Sequence, residues 1–417
     1  GATINNQGTA TNFGATGSAS WNTTVKTGDF TAVAGEGYFV NTTSGEIDVT
    51  LPAGTAGAVV AVADYANTAD TNNIILKQNG SDKIEGSTDD FVVNQEGAAV
   101  TLVFVDSTKG WIMTDTGNSA DVFGETFITA TGGNSVVECG NCKIHTFTGP
   151  GTFTVSSASN TATNNIVSYL IIAGGGGGGS DRGGGGGAGG FREIKNPLNP
   201  YTASPLDGYC TPANRVTVTA QGYPIVVGGG GGGGDAPGPS SPSGVSGNVS
   251  TFGGISSAGG GGGKNSNTGT AFAGGSGGGG SGSGAGAGGA GNTPPVTPPQ
   301  GNPGGTSHDS SNPRGAGGGG SGAAAAPSVP TPAAVSAGGA GLATSITGSP
   351  VTRAGGGGGA GQPNLTSAGG SGGGGDASTS GVGGAGTVNT GSGGGASCTN
   401  NAGSGGSGIV VIRYKFQ

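Results

Sequence analysis

This chain of 417 residues has little of what ordinarily builds an enzyme or a packed core. Charged residues make up 9% and aromatics 5%, with one methionine, two histidines and four cysteines. An ordinary soluble domain carries about 25% charged residues. Two histidines are too few for a His-centred hydrolase or a His-rich metal site, and no paired carboxylates stand out as an acid and base. No stretch of about 18 apolar residues occurs, so no membrane-spanning helix is expected. No segment shows convincing helical periodicity, and essentially no α-helix is expected. The charge is one-sided at first: residues 1–173 hold 5 Lys/Arg against 16 Asp/Glu, a net of −11. The rest holds 9 against 6, a net of +3 without a basic cluster. This balance argues against nucleic acid as a partner.

What the chain has is glycine. Of 103 glycines, 82 fall from Gly174 onward, about one residue in three, in runs such as 174–179, 183–187, 228–234, 259–263 and 355–359. A segment this poor in side chains cannot bury an ordinary apolar core. It is either a flexible linker or a backbone packed on itself.

The punctuation favours packing. An extended apolar segment leads into a glycine run, a short polar segment follows, and a second glycine-rich run returns. Tyr169-Leu-Ile-Ile-Ala173 leads into 174–179, Pro224-Ile-Val-Val227 into 228–234, Ile255-Ser-Ser-Ala258 into 259–263, and Pro350-Val-Thr-Arg-Ala354 into 355–359. Collagen needs glycine at every third position only, and glycine weakens a sheet. The remaining ordered state is the left-handed, three-per-turn helix. It has no internal hydrogen bonds, so its backbone groups must be satisfied by neighbouring helices of the same kind. Interior helices of such a bundle are expected to be all glycine, because a Cβ would hold the backbones apart.

The expected fold is therefore an all-β N-terminal region, sandwich or barrel, followed by a polyglycine II helix bundle. Residues 1–23 read as an extended arm. Residues 24–116 read as a β-rich domain, with short strands at 37–41, 46–51, 58–63, 73–77, 91–93, 100–105 and 110–114 separated by Asn, Gly and Asp. Residues 117–173 read as a β-hairpin connector, with strands at 143–148 and 151–155 around Gly149-Pro150. The glycine-rich domain is 174–417, and the apolar strand 409–416 is expected to pair with the strand feeding the first run.

Side-chain chemistry is then confined to the turns, because loops on a rigid scaffold carry most binding. Candidate binding residues are Ser180, Asp181 and Arg182; Lys264, Asn265 and Asn267; His308, Asp309 and Arg314; Gln362 and Asn364; and Asn400 and Asn401. Each such loop also admits the plainer reading of a solvated turn. His145 alternates with Ile144 and Thr146 and reads as a strand-surface histidine. Run 259–263 followed by Lys264 approaches a phosphate loop, but Ala258 and Asn265 stand where that motif needs Gly and Ser or Thr. Cys139-Gly-Asn-Cys142 lacks the second ligand pair of a zinc site. If Gly140-Asn141 is a two-residue turn, Cys139 and Cys142 face one another at a separation a disulfide accepts, and a disulfide and a thiol pair are both open. Cys210 and Cys398 are a further conceivable pair. No metal or cofactor is expected.

Three further stretches carry a resemblance. They are the feeder Val167-Ser-Tyr-Leu-Ile-Ile-Ala-Gly-Gly-Gly-Gly-Gly-Gly179, the stretch Tyr223-Pro-Ile-Val-Val-Gly-Gly, and Gly408-Ile-Val-Val-Ile-Arg-Tyr-Lys-Phe-Gln417. With the β-rich segments 21–44 and 103–111, they resemble glycine-rich tail fibres of marine phages, and the glycine domain resembles the tip adhesins of T-even-like phages. The long β-rich first part departs from those adhesins. The resemblance implies a virion protein, extracellular when mature, that is not an enzyme and attaches the particle to its host. End loops would bind a host surface glycan or outer-membrane protein, and the N-terminal region would join other virion tail proteins, commonly in a homotrimer. A structural virion component, such as a head fibre or decoration protein, and a bacterial extracellular adhesin or filament subunit are the alternatives.

Overall fold

The computed structural model describes residues 19–116, 126–235, 242–265, 270–282, 286–308, 313–329, 335–362 and 365–417. The chain divides into two compact units, Gly1–Thr126 and Phe127–Gln417. Both are all-β; among the described residues the helical pieces are two short 3-10 turns, Ala162–Asn165 and Pro212–Asn214.

In the first unit the strands are β1 (Ser20–Lys26), β2 (Phe30–Thr31), β3 (Glu36–Val40), β4 (Ile47–Thr50), β5 (Val59–Asp64), β6 (Ile74–Lys77), β7 (Phe91–Val93), β8 (Ala99–Asp106) and β9 (Gly110–Thr116). The expected strands are all present, and β1 begins inside the segment read as an arm. Two sheets share one core, in which Val40, Val60 and Leu102 from the first meet Val49, Ile74 and Leu76 from the second. Their winding is parallel: β1, β3 and β5 stack in one sheet while β2, β4 and β6 stack in the other. Each turn of chain thus adds one strand to each sheet. Antiparallel β7 ends the second sheet, and β8 with β9 ends the first.

The second unit opens with β10 (Thr129–Thr131), β11 (Ser135–Cys139), β12 (Cys142–Phe147), β13 (Gly151–Ser157), β14 (Ile166–Ile172), β15 (Phe191–Ile194), β16 (Val216–Thr217) and β17 (Gly222–Ile225). Short hairpins β18 (Ser250–Phe252) with β19 (Ile255–Ser257), β20 (Leu342–Thr344) with β21 (Val351–Arg353), and β22 (Ala360–Gly361) with β23 (Leu365–Thr366) interrupt the glycine runs. Strand β24 (Ile409–Lys415) pairs antiparallel with β14, Ile172 opposite Ile409, as expected. The main sheet runs β11-β12-β24-β14-β15. One face carries Phe147 and Tyr169, which share a core with Phe153 of β13 and Phe252 of β18, and the other carries Leu170, Ile172, Phe191 and Val411. Burial on both faces explains why β14 and β24 read as unbroken apolar runs rather than alternating ones.

Residues 127–173 are therefore part of this unit's body rather than a connector. The expected hairpin across Gly149-Pro150 does not form. Both edges of β12 are taken by β11 and β24, so the chain crosses instead to a second sheet, β10-β13-β17. His145 corrects a second expectation. It is fully buried, not on the surface, with Nδ1 2.7 Å from the Gly132 carbonyl and Nε2 3.1 Å from the Tyr414 hydroxyl. A carbonyl only accepts, so Nδ1 donates and the Tyr414 hydroxyl donates to Nε2. The imidazole is T-stacked on Phe153 across the two sheets.

The glycine runs carry a period-three hydrogen-bond rotation. In the first run, Gly174 and Gly177 donate to Asn248 and Val245, Gly175 and Gly178 to Gly406 and Gly403, and Gly176 and Gly179 to Gly187 and Gly184. Each residue thus faces one of three neighbours in turn, as three-per-turn helices packed on one another require. The returning run repeats this: Gly184 and Gly187 donate to Lys264 and Gly261, Gly185 and Ala188 to Ala316 and Gly319, and Gly186 and Gly189 to Gly394 and Gly391. Contrary to the expectation of an all-glycine interior, other residues are buried there. Ala188, Ala316, Ser276 and Ser392 are fully buried in or beside the runs. Ala188 belongs to the cluster around Ile172 and Phe191, where the bundle meets the sheet and a methyl group has room.

Candidate binding surface at the loop end

The runs alternate in direction, which sorts their connections into two groups. Strands and hairpins β14, β15, β17 to β21 and β24 lie at one end together with the turns 292–300 and 387–391, and a second set of polar turns lies at the other.

Contacts between turns show that they gather. The Ser180 hydroxyl donates to the Asp235 carbonyl at 2.8 Å, and Asn401 Nδ2 donates to Asp235 Oδ1 at 3.4 Å. The Arg182 amide donates to the Ser397 carbonyl, and the Gly282 amide to that of Arg182. Asn400 Nδ2 reaches the Ser380 carbonyl and Thr399 Oγ1 that of Thr379. The Cys398 thiol donates to the Gly361 carbonyl at 3.3 Å, and the Gln362 amide donates to the Pro313 carbonyl at 3.0 Å. Arg314 bridges Gly361 on one side and His308 on the other, and the His308 amide donates to Ser328 Oγ at 2.7 Å. Asn265 and Ser243 join a further pair of turns.

The predicted residues divide by what they present. Asn400 and Asn401 are exposed, and Asp181, Arg182, Lys264, His308 and Gln362 are half-buried. Asp181 and Arg182 both take left-handed backbone angles, φ 50° and 60°, and their side chains pair at 3.5 Å. Two such residues in succession make the sharp reversal between the first two runs. Ser180, Asn265 and Arg314 differ from expectation: all three are buried and brace the loops rather than presenting themselves. Arg314 Nη1 donates to the Val329 carbonyl at 3.2 Å. Asn267, Asp309 and Asn364 lie outside the described residues.

The segment 377–381 was missed, although Ala377-Ser-Thr-Ser-Gly381 follows the same rule of a polar turn between glycine-rich runs. The contact of Asp235 with Asn401 joins residues far apart in the chain and is visible only in three dimensions. Among the described residues no group of three His, Cys, Asp or Glu is placed to hold a metal ion.

The four cysteines are free thiols. Cys139 and Cys142 face one another across the turn at Gly140, as expected, yet are not joined. Cys142 Sγ lies 3.5 Å from Asn199 Oδ1, and Cys139 Sγ lies 4.0 Å from Arg413 Nη2. Cys398 is buried at the loop end, and burial pushes its thiol pKa up. Cys210 is exposed among the strand-end segments, so these two do not pair.

The fold and this loop end define an all-β protein whose larger unit is a backbone-packed glycine scaffold presenting polar turns. Residues 146–415 match the family model of the glycine-rich domain, and the chain belongs to that family. No curated protein matches the chain.

Proposed function

We infer that this chain is a tail-fibre or adhesin protein of a phage, and that the loop end of its glycine scaffold binds a host-surface glycan or outer-membrane protein without catalysis. The observation carrying this reading is the segregation of side chains. The scaffold is held by backbone bonds, while Asp181, Arg182, Lys264, Asn400 and Asn401 stand on turns that meet at one end. Turns fixed in this way lose little entropy on binding. Amide, hydroxyl and charged groups together suit hydroxyl-rich or polar protein surfaces. The first unit, acidic and built from stacked parallel turns, is assigned to attachment within the virion, in a homotrimer.

The test exchanges the presented side chains Asp181, Arg182, Lys264, His308, Gln362, Asn400 and Asn401, loop by loop and all together, leaves the buried Ser180, Asn265 and Arg314 in place, and measures adsorption to host cells beside the thermal melt. Adsorption is expected to fall or change host range with the melt retained. Unchanged adsorption with every loop exchanged overturns the reading.

A further inference from the structure

A recess lies away from the loop end, on the flank of the glycine-rich unit where its hairpins and strand ends gather. Its cavity of about 490 Å³ lies between the 3-10 turn Pro212–Asn214, the β18–β19 hairpin and the segment 294–300. That volume falls within the range of small-ligand sites. Val249, Ile255, Pro294 and Val296 give it aliphatic walls, and Thr211, Ser256 and Gln300 add polar groups.

Arg192 on β15 lines the recess. Nη1 donates to the Ser256 carbonyl at 3.3 Å and Nη2 to Asn214 Oδ1 at 2.5 Å. Asn214 Nδ2 in turn donates to the Thr297 carbonyl at 2.8 Å, so one guanidinium ties together three segments of wall. A guanidinium has five N–H donors, and these bonds engage two. Among the described residues no carboxylate forms an ion pair with it. The wall is preorganised: Asn292 Oδ1 accepts from the amides of Val296 and Gln300, and the Gln300 side chain is fixed between Pro294 and Ala258.

We propose that this recess is a lateral binding site for a carboxylated sugar unit, of the uronic-acid class, seated with its carboxylate on Arg192. A single cation matches a singly charged carboxylate, which a guanidinium binds through paired N–H donors, better than a doubly charged phosphate. Aliphatic walls with scattered amide and hydroxyl groups fit a ring with C–H faces and hydroxyl edges. The choice of a sugar over other carboxylates rests on the surface-binding reading above; the recess and its cation do not.

The intact chain is titrated with methyl glucuronide by saturation-transfer NMR, with methyl glucoside and hexanoate as comparators. Saturable binding of the glucuronide is expected, at least about tenfold weaker for the glucoside and about tenfold weaker in Arg192→Gln, the loss of one charge-assisted contact. Val296→Trp fills the recess from its rim with Arg192 intact, and it is expected to abolish binding with an unchanged melt. It decides the matter if Arg192→Gln does not fold. No saturable binding, or binding unaffected by these variants, overturns the site. Hexanoate binding more tightly than the glucuronide overturns the sugar assignment. Exchanging the end loops leaves this titration unchanged, so failure of the adsorption test and failure of this one are separate results.

Discussion

Gly176 lies so close to Gly261 that a Cβ on the first would stand 2.2 Å from the carbonyl oxygen of the second. The contact is backbone to backbone, so no side chain can swing aside to relieve it. Gly176→Ala is expected to force neighbouring helices apart and to cost about 3 kcal/mol or more, beyond ordinary overpacking. Gly232 is the control within the same scaffold, because a Cβ there meets nothing within 4 Å. Gly232→Ala should leave stability unchanged or raise it by up to about 1 kcal/mol through reduced freedom of the unfolded chain. Chemical denaturation of both variants checks the pair; equal effects would show that the runs are not packed.

Phe252 is the meeting point of the aromatic core beneath the scaffold. It is fully buried, with Phe153, Tyr169 and Tyr223 each at 6.1 Å between ring centres. Phe252→Ala is expected to cost about 3–5 kcal/mol, the range for emptying a buried aromatic site. Since β18 sits between glycine runs, amide exchange in runs 228–234 and 259–263 should accelerate with it.

The pH dependence follows from two buried groups with opposite signs. Burial lowers the pKa of His145 below its ordinary 6.5. The unfolded state then binds the proton more readily, so the His145 contribution is present above pH 6.5 and is lost as pH falls through the lowered value. Burial raises the pKa of Glu193 above its ordinary 4.5. Its contribution is complete below 4.5 and is lost as pH rises through the raised value. His145→Gln should therefore shrink the fall in Tm on acidification below pH 6.5, and Glu193→Gln should shrink the loss on the rising side. Melts between pH 4 and pH 8 read both slopes.

Thiol chemistry reports the burial pattern directly. Cys210 is exposed, Cys139 half-buried, and Cys142 and Cys398 buried. A thiol reagent should label Cys210 fastest in the native protein and reach all four cysteines only after denaturation. Equal labelling rates would contradict the placement of Cys398 inside the loop end.

The strands of the first unit were legible because turn residues bracket short β-branched runs, but their parallel winding was not. A strand such as Ile47–Thr50 has the same residues whether its neighbour at Ile74–Lys77 runs with it or against it. The same limit explains the error at Gly149-Pro150. Two strands around a turn signal read as a hairpin, and only the occupation of both edges of β12 by β11 and β24 sends β13 elsewhere. His145 was misread for a related reason: alternation along one strand does not show that a second sheet covers its outer face.

At the loop end, the polar turns were visible in the order of residues, since a run that reverses must place its connection at an end. Which side chains are presented was not visible. Ser180, Asn265 and Arg314 have the composition of ligand contacts, yet the neighbouring turns bury them.

The sequence by itself determined that the second half holds together through its backbone, because a run without side chains has only amides and carbonyls with which to pack. It also determined where polar chemistry must sit. The tertiary structure alone decided the three neighbours of each glycine, which turns meet, and that Arg192 lines a recess. Those depend on contacts between residues far apart in the chain, as between Gly175 and Gly406, and local order does not encode them.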